Sequence, residues 1–227
     1  GSAIDSALEE RIIAEAERLY GCTVQRPAVS AEHARIYRCD RSGHRFILKA
    51  MAAALIPPAQ VLRATGFVEH LRAGGVPAPA PLLSVQGRMV EQLDVKGVGY
   101  TLWAQEELPG ALVDWRTWTP ELYRQWATLL GRMHALAGDY SPPTDIGPRT
   151  WEDEWALDYQ NMPAQYTRVR EQMEALHGRL LELPRESGSY GMVHSDFHQG
   201  NFFLDNGVLR PFDFDNCLYD WFAGDFA

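Results

Sequence analysis

Long apolar runs are missing from this chain: no stretch approaches the roughly 18 uninterrupted apolar residues of a membrane-spanning helix, and no signal-peptide pattern opens it. No membrane partner is therefore expected. Basic residues are also in short supply, 21 Lys and Arg against 30 Asp and Glu for a formal charge of -9, with no basic run to displace counterions from phosphates. That argues against nucleic acid as a partner. Only three cysteines occur, Cys22, Cys39 and Cys217, far apart and in no metal-ligand spacing. Reduced thiols used for packing in a cytoplasmic protein are the expectation. Internal repeats and low-complexity segments are absent too, and Gly1-Ser2 reads as an expression scar.

What is present is an ordinary globular composition, 46% hydrophobic over 227 residues, enough for one large domain or two modest lobes with cores. Ile4, Leu8, Ile12 and Leu19 among charges predict an amphipathic helix over 4–19, stopped by Gly21. From Ala34, "ARIYRCDRSGHRFILKA" has the pattern of a hairpin around a Ser-Gly turn, with Lys49 ending its second strand. After Pro57-Pro58, "AQVLRATGFVEHLRAGG" returns to helical spacing, with Gly74-Gly75 at the C-cap. Strands follow at "PLLSVQGRMVEQL" and "GYTLWAQEEL". The first hundred residues thus read as an antiparallel sheet with one helix.

The remainder reads as mostly helical. Thr119 caps a helix that Pro120 begins, and a second runs over 165–183 with Val169, Met173, Leu176 and Leu180 on one face. Pro184 ends it. The stretch "MVHSDFHQGNFFLDNGVLRPFDFDN", residues 192–216, sets Asp196, Asn201, Asp213 and Asp215 among apolar neighbours. Asn206-Gly207 within it suits a type I′ turn, which brings Asn201 to within about one residue of being opposite Asp213. Asp196 lies a few residues upstream of the same open end. Hard oxygen ligands from an Asn and an Asp suit Mg²⁺, and a third carboxylate free of metal can take a proton from a hydroxyl. Metal and base are the minimum equipment for moving a phosphoryl group from ATP, with Lys49 as the natural cation for the phosphates.

"HSDFHQGN" matches H-x-D-x-x-x-x-N and "FDFD" supplies a metal aspartate. With "RIYRCDRSGHRFILKA", "HLRAGGVPAP", "EELPG", "LLGRMHAL" and "YDWFAGDFA" in the same order, the chain from about residue 30 onward resembles the aminoglycoside phosphotransferase-like kinases. The resemblance implies an α+β, two-lobed protein-kinase-like fold. A small antiparallel-sheet lobe would span 1–110 and a mostly helical lobe 111–227, the latter incomplete at its C-terminus because relatives commonly extend further. It implies Asp196 as catalytic base, Asn201 and Asp213 as Mg²⁺ ligands, and Lys49 on the ATP phosphates. The backbone of Glu106 and Leu108 would hold adenine, and Asp225 would brace the catalytic loop. The implied reaction is transfer of the γ-phosphoryl group to a hydroxyl of a small molecule: an aminoglycoside, amino alcohol, homoserine-like compound or other polyol.

Two departures stand out. Kinases of this shape carry a small-lobe helix glutamate that pairs with the phosphate lysine, yet that position falls on Ala64 or Thr65. Glu69 lies about 140° around the helix from it, whereas Gln60 is on the right side to hold Lys49. "AVSAEHARIY" has no glycine where a phosphate loop favours one. A degenerate nucleotide-binding scaffold and a protein Ser/Thr kinase therefore stay open. So does a distant zinc hydrolase built on His194 and His198, although no third clustered ligand supports it. The short "DFD" also resembles the D-x-D of glycosyltransferases, without the parallel α/β pattern expected around it. Asp215 could bind a second metal, help with substrate or cap a turn. His134 reads as a satisfied core histidine. The tryptophans of "DWRTW" and "WEDEW" suit either a substrate pocket or packing, and Glu152, Asp153, Glu154 and Asp158 either a cationic substrate or a solvated face.

Overall fold

The first helix, α1 (Ala3–Tyr20), buries Ile12, Ile13, Ala16, Leu19 and Tyr20 against the sheet. Each large apolar side chain so covered contributes roughly 1.5–3 kcal/mol. Gly21, at φ +60, stops it in the left-handed region that glycine enters without penalty. The structure, a computed structural model, describes residues 3–26, 28 and 34–226, with side chains from residue 6. Gly1-Ser2, the side chain of Ile4 and most of the expected phosphate loop, residues 29–33, lie outside the described residues.

Short β1 (Thr23–Val24) joins a hairpin of β2 (Arg35–Arg41) and β3 (His44–Ala52). Ser42 and Gly43, at φ 55 and 85, supply the two positive values that match strand twist at a two-residue turn. Strand β3 runs three residues past the expected end, so Lys49 sits inside the ladder, opposite Ile36 and Trp103. Helix α2 (Pro58–Ala73) then packs Ala64, Phe67, Val68 and Leu71 into a core shared with the helical half. The segment expected as one strand, "PLLSVQGRMVEQL", divides into β4 (Pro81–Leu82) and β5 (Val90–Val95). A turn at Ser84–Arg88 interrupts it: Ser84 donates its N–H to the Arg88 carbonyl and its hydroxyl accepts from Gln86 and Arg88 N–H groups. β6 (Val98–Glu106) pairs with β3, β4 and β5, completing an antiparallel sheet of order β1-β2-β3-β6-β4 with β5 also on β6.

The chain leaves β6 through Pro109-Gly110 and touches the second half at once. Ala111 and Leu204 exchange backbone hydrogen bonds at 3.3 and 2.9 Å. Gly110 has φ +106, and a Cβ there would lie 2.7 Å from the Leu204 carbonyl oxygen. Gly110→Ala should therefore lower unfolding stability by about 1–3 kcal/mol, the range for a strained backbone with no room to relax. A urea midpoint equal to wild type would contradict that.

α3 (Pro120–Ala137) starts at Thr119, whose hydroxyl accepts from Leu122 N–H at 3.2 Å. α4 (Trp151–Asn161) and α5 (Thr167–Leu181) follow. The apolar stripe of α5 is only partly covered: no residue of that helix is buried, Val169 and Leu176 are exposed, and Met173 and Leu180 are half-buried. Three of the four acids near α4 have structural partners. Glu152 pairs with Arg185, Glu154 with Arg149, and Asp153 closes a capping box with Thr150.

β7 (Tyr190–Val193) pairs with β10 (Leu218–Trp221), and the hairpin β8 (Phe202–Asp205) and β9 (Val208–Pro211) turns at Asn206-Gly207 with φ 49 and 82. The three thiols are free; burial pushes Cys217 up to about 12, which leaves it unreactive. Among the described residues no helix is long and apolar enough to cross a membrane.

Candidate active site

The two-residue turn at Asn206-Gly207 sets the register of β8 and β9, which puts Phe202 opposite Pro211. One step beyond, Phe212 donates its N–H to the Asn201 carbonyl at 2.9 Å. Asp213 is thus one residue from facing Asn201, as the turn chemistry implies. The Asn201 amide then reaches upstream, donating from Nδ2 to the Asp196 carbonyl at 2.8 Å and to Asp196 Oδ2 at 2.9 Å. That leaves Asn201 Oδ1 and Asp213 Oδ2 without hydrogen-bond partners among the described residues. One amide and one carboxylate oxygen fit a hard divalent ion that completes its shell with phosphate and water.

Lys49 comes from the sheet to the same place. Its Nζ lies 2.6 Å from Asp213 Oδ1 and 2.6 Å from Asp215 Oδ2, with the Trp103 ring centroid at 5.7 Å. Burial alone would discharge this ammonium, but Asp215 and Asp213 outweigh it and raise its pKa. Burial pushes Asp213 up, yet Lys49 prevails and holds it below the ordinary carboxylate range. Asp215 moves the other way, up to about 6, because burial and the Asp213 charge together exceed the help from Lys49.

Gln60 does not hold Lys49. Its Nε2 donates to the Asp215 carbonyl at 2.8 Å, because α2 packs on the 3-10 turn Phe214–Asn216 instead of on the strand lysine. Glu69 is exposed, as its place on the helix requires.

Asp225 organises the loop that presents Asp196. Its Oδ1 accepts from Ser195 N–H at 2.6 Å, and its Oδ2 from His194 N–H at 3.2 Å and from His134 Nε2 at 2.8 Å. His134 is therefore a core histidine with a partner. His194 is buried and donates from Nε2 to the Phe212 carbonyl at 3.0 Å; burial lowers its pKa and keeps it neutral. His198 accepts Gly200 N–H at Nδ1, so its neutral ring carries the proton at Nε2, 3.3 Å from Asp196 Oδ1. No group of three or more His, Cys, Asp or Glu that could hold a metal ion occurs among the described residues, so the two histidines do not assemble a zinc site.

At the other end of β6, Glu106 donates its N–H to the Ala80 carbonyl at 2.8 Å, so of its backbone groups only the carbonyl is left for a ligand. Leu108 N–H has no partner among the described residues. Beside Asp196 opens a cavity of about 490 Å³ lined by Trp115, Trp118, Tyr123, Trp126 and His198. The tryptophans of "DWRTW", open between pocket and packing in the sequence, line this cavity, and Trp118 also packs on Phe202; Trp126, which the sequence reading did not single out, packs on Phe197. No Lys or Arg lines the cavity among the described residues.

A small antiparallel sheet joined by a short linker to a mostly helical half, with lysine, two aspartates and an asparagine meeting between them, is the α+β kinase-like fold. The chain belongs to the phosphotransferase enzyme family (APH), whose profile matches residues 23–227. It is 30% identical over 223 residues to an amicoumacin kinase of Bacillus subtilis (strain 168), an alignment covering 96% of this chain and 66% of that protein. The chain thus spans just under two thirds of that relative's length. Among solved structures it superposes on the amicoumacin kinase hAmiN in complex with AMP-PNP, Ca2+ and Ami. There the TM-score is 0.87 and the identity 27%, over 96% of this chain and 67% of that one. A microcompartment-associated aminopropanol kinase shares the fold at TM-score 0.69 and 21% identity, over 96% of this chain and 72% of that one.

Proposed function

We propose that this protein transfers the γ-phosphoryl group of ATP to a hydroxyl of a small molecule, with Mg²⁺ as the metal. The carrying observation is the continuous chain of contacts from Lys49 through Asp213 and its neighbour Phe212 to Asn201 and Asp196. A base, two free oxygen ligands and a charged ammonium on one line match the needs of phosphoryl transfer, in which positioning and charge compensation supply most of the catalysis. Under this reading Glu106 and Leu108 hold adenine by backbone groups, and Lys49 meets the phosphates. Asn201 Oδ1 and Asp213 Oδ2 would hold Mg²⁺, which when bound offsets charge on the phosphate oxygens. Asp196 orients the acceptor hydroxyl and takes its proton as the new O–P bond forms, ADP leaving. The functional boundary falls near Gly110, where the sheet half ends.

The acceptor enters the aromatic cavity beside Asp196. Four indole or phenol rings with no cation favour a neutral or positively charged compound with an apolar face, and disfavour phosphates and carboxylates. The relative named for amicoumacin supports a small-molecule acceptor. In a screen of neutral, amine-bearing and anionic hydroxyl compounds, Mg²⁺-dependent ATP consumption should rise with members of the first two groups. It should vanish when the metal is chelated. ATP binding without turnover across the whole screen would point to a scaffold, and no ATP binding would sink the reading.

A further inference from the structure

The missing helix glutamate leaves a buried lysine with a question of charge. An ammonium as enclosed as that of Lys49 needs an anionic partner to offset its lost hydration, and α2 presents Ala64 and Thr65 where kinases of this shape present a carboxylate. Both residues line a cavity of about 20 Å³ together with Trp103, Phe214 and Asp215. Asp215, on the lining of that space, reaches Lys49 at 2.6 Å. Asp213, at φ 68, begins the 3-10 turn in the left-handed region, and the turn aims both carboxylates at one ammonium. Gln60, from the same helix, donates to the Asp215 carbonyl and so fixes the turn. The helix thus touches the turn that carries the charge, and the charge itself comes from the other half of the fold.

We propose that Asp215 is the standing counter-ion of Lys49, doing from the large lobe what a small-lobe helix glutamate does elsewhere. This rests on the phosphotransfer reading for its purpose, because Asp213 is the proposed metal ligand and a carboxylate shared with a divalent ion is a weaker partner for the ammonium. An ammonium has three N–H bonds. Here two go to the carboxylates and one is left for a phosphate oxygen. With Asp213 Oδ2 on the metal, Asp215 still holds the Lys49 ammonium in place at 2.6 Å. Its side chain is 16% exposed against 41% for Asp213, which suits the more enclosed of the two for the structural role and the more open one for the ion. Asp215 is thus a positioning residue that acts through Lys49.

The test is a cycle of Asp215→Asn and Lys49→Met, with Ala64→Glu as the rescuing change. In nucleotide-free protein, Asp215→Asn should lower the melting temperature when Lys49 is present and raise it in the Lys49→Met background, where the same carboxylate has become an unpaired buried charge. With Mg²⁺ and AMP-PNP, Asp215→Asn should weaken affinity by about tenfold to a hundredfold, less than the full cost of breaking a buried charge pair because Asp213 still faces Lys49. The same change in the Lys49→Met background should have no further effect. Ala64→Glu, placed across the shared cavity, should recover affinity in an Asp215→Ala protein and leave the Mg²⁺ midpoint unmoved. The inference falls if Asp215→Asn shifts melting in the same direction in both backgrounds. It falls equally if that change weakens Mg²⁺ binding without Lys49, which would make Asp215 a metal ligand. Should wild type fail to bind AMP-PNP, the phosphotransfer reading fails on its own, while the melting cycle still decides the ion pair.

Discussion

Asp196→Asn should leave nucleotide affinity within a few-fold of wild type while transfer to the acceptor falls by about 10²- to 10⁴-fold, the usual contribution of a general base. The near-isosteric change keeps an oxygen for the Asn201 amide, which now bonds both the Asp196 carbonyl and its Oδ2. The loop should therefore hold its shape. What disappears is the carboxylate that accepts the hydroxyl proton, and the His198 Nε2–H beside it cannot replace that function while Nδ1 is occupied by Gly200 N–H. ATP affinity by calorimetry and single-turnover transfer separate the two effects. Turnover near wild type would remove Asp196 from the role, and lost ATP affinity would mean that the substitution had disturbed the loop.

Legibility from sequence followed the range over which each interaction acts. Ser42-Gly43 and Asn206-Gly207 declare their hairpins because positive φ is a local demand, and a two-residue turn then sets register for the whole ladder. That is why the near-opposition of Asn201 and Asp213 could be read without coordinates. Thr119-Pro120 marks the start of α3 for the same local reason.

Contacts across the fold were less visible. The pairing of β7 with β10 joins Tyr190 to Trp221 across 30 residues, and the Asn206-Gly207 turn that lies between them signals a different pair, β8 and β9. Spacing puts Gln60 on the side of α2 from which it could hold Lys49, yet it bonds Asp215, since spacing places a side chain on a helix face but does not say whether that face meets a strand or a turn. On α5 the apolar period indicated a helix and nothing more: Val169 and Leu176 keep the spacing while remaining exposed. The aromatic cavity at Asp196 needed Trp115, Trp118, Tyr123 and Trp126 to be brought against a loop some 70 residues later. The D-x-D spacing at Asp213 and Asp215, set beside the absent helix glutamate, held the one signal that could have given Lys49 its second partner.

Asp225→Ala should be the most damaging single change to stability, lowering it by about 3–5 kcal/mol, because it strips the partner from three donors at once, two of them on the buried His194 and His134. The carboxylate side chain is 0% exposed and gathers the N–H groups of Ser195 and His194 and the ring of His134. Ser195 is held at φ 66, a left-handed conformation costing a non-glycine residue about 1–2 kcal/mol. With its N–H released, that residue has reason to relax toward an ordinary conformation, carrying its neighbour Asp196 away from the acceptor. Displacements of about 1 Å are enough to cost on the order of 10² in rate. Activity should thus fall even at temperatures where the variant is fully folded. Asp225→Asn, which preserves one acceptor oxygen but turns an NH₂ toward the other donors, should fall between the two in both melting temperature and turnover. A Tm within a degree or two of wild type for Asp225→Ala would show that the loop keeps its shape without this anchor, and the positive φ of Ser195 would then need another support.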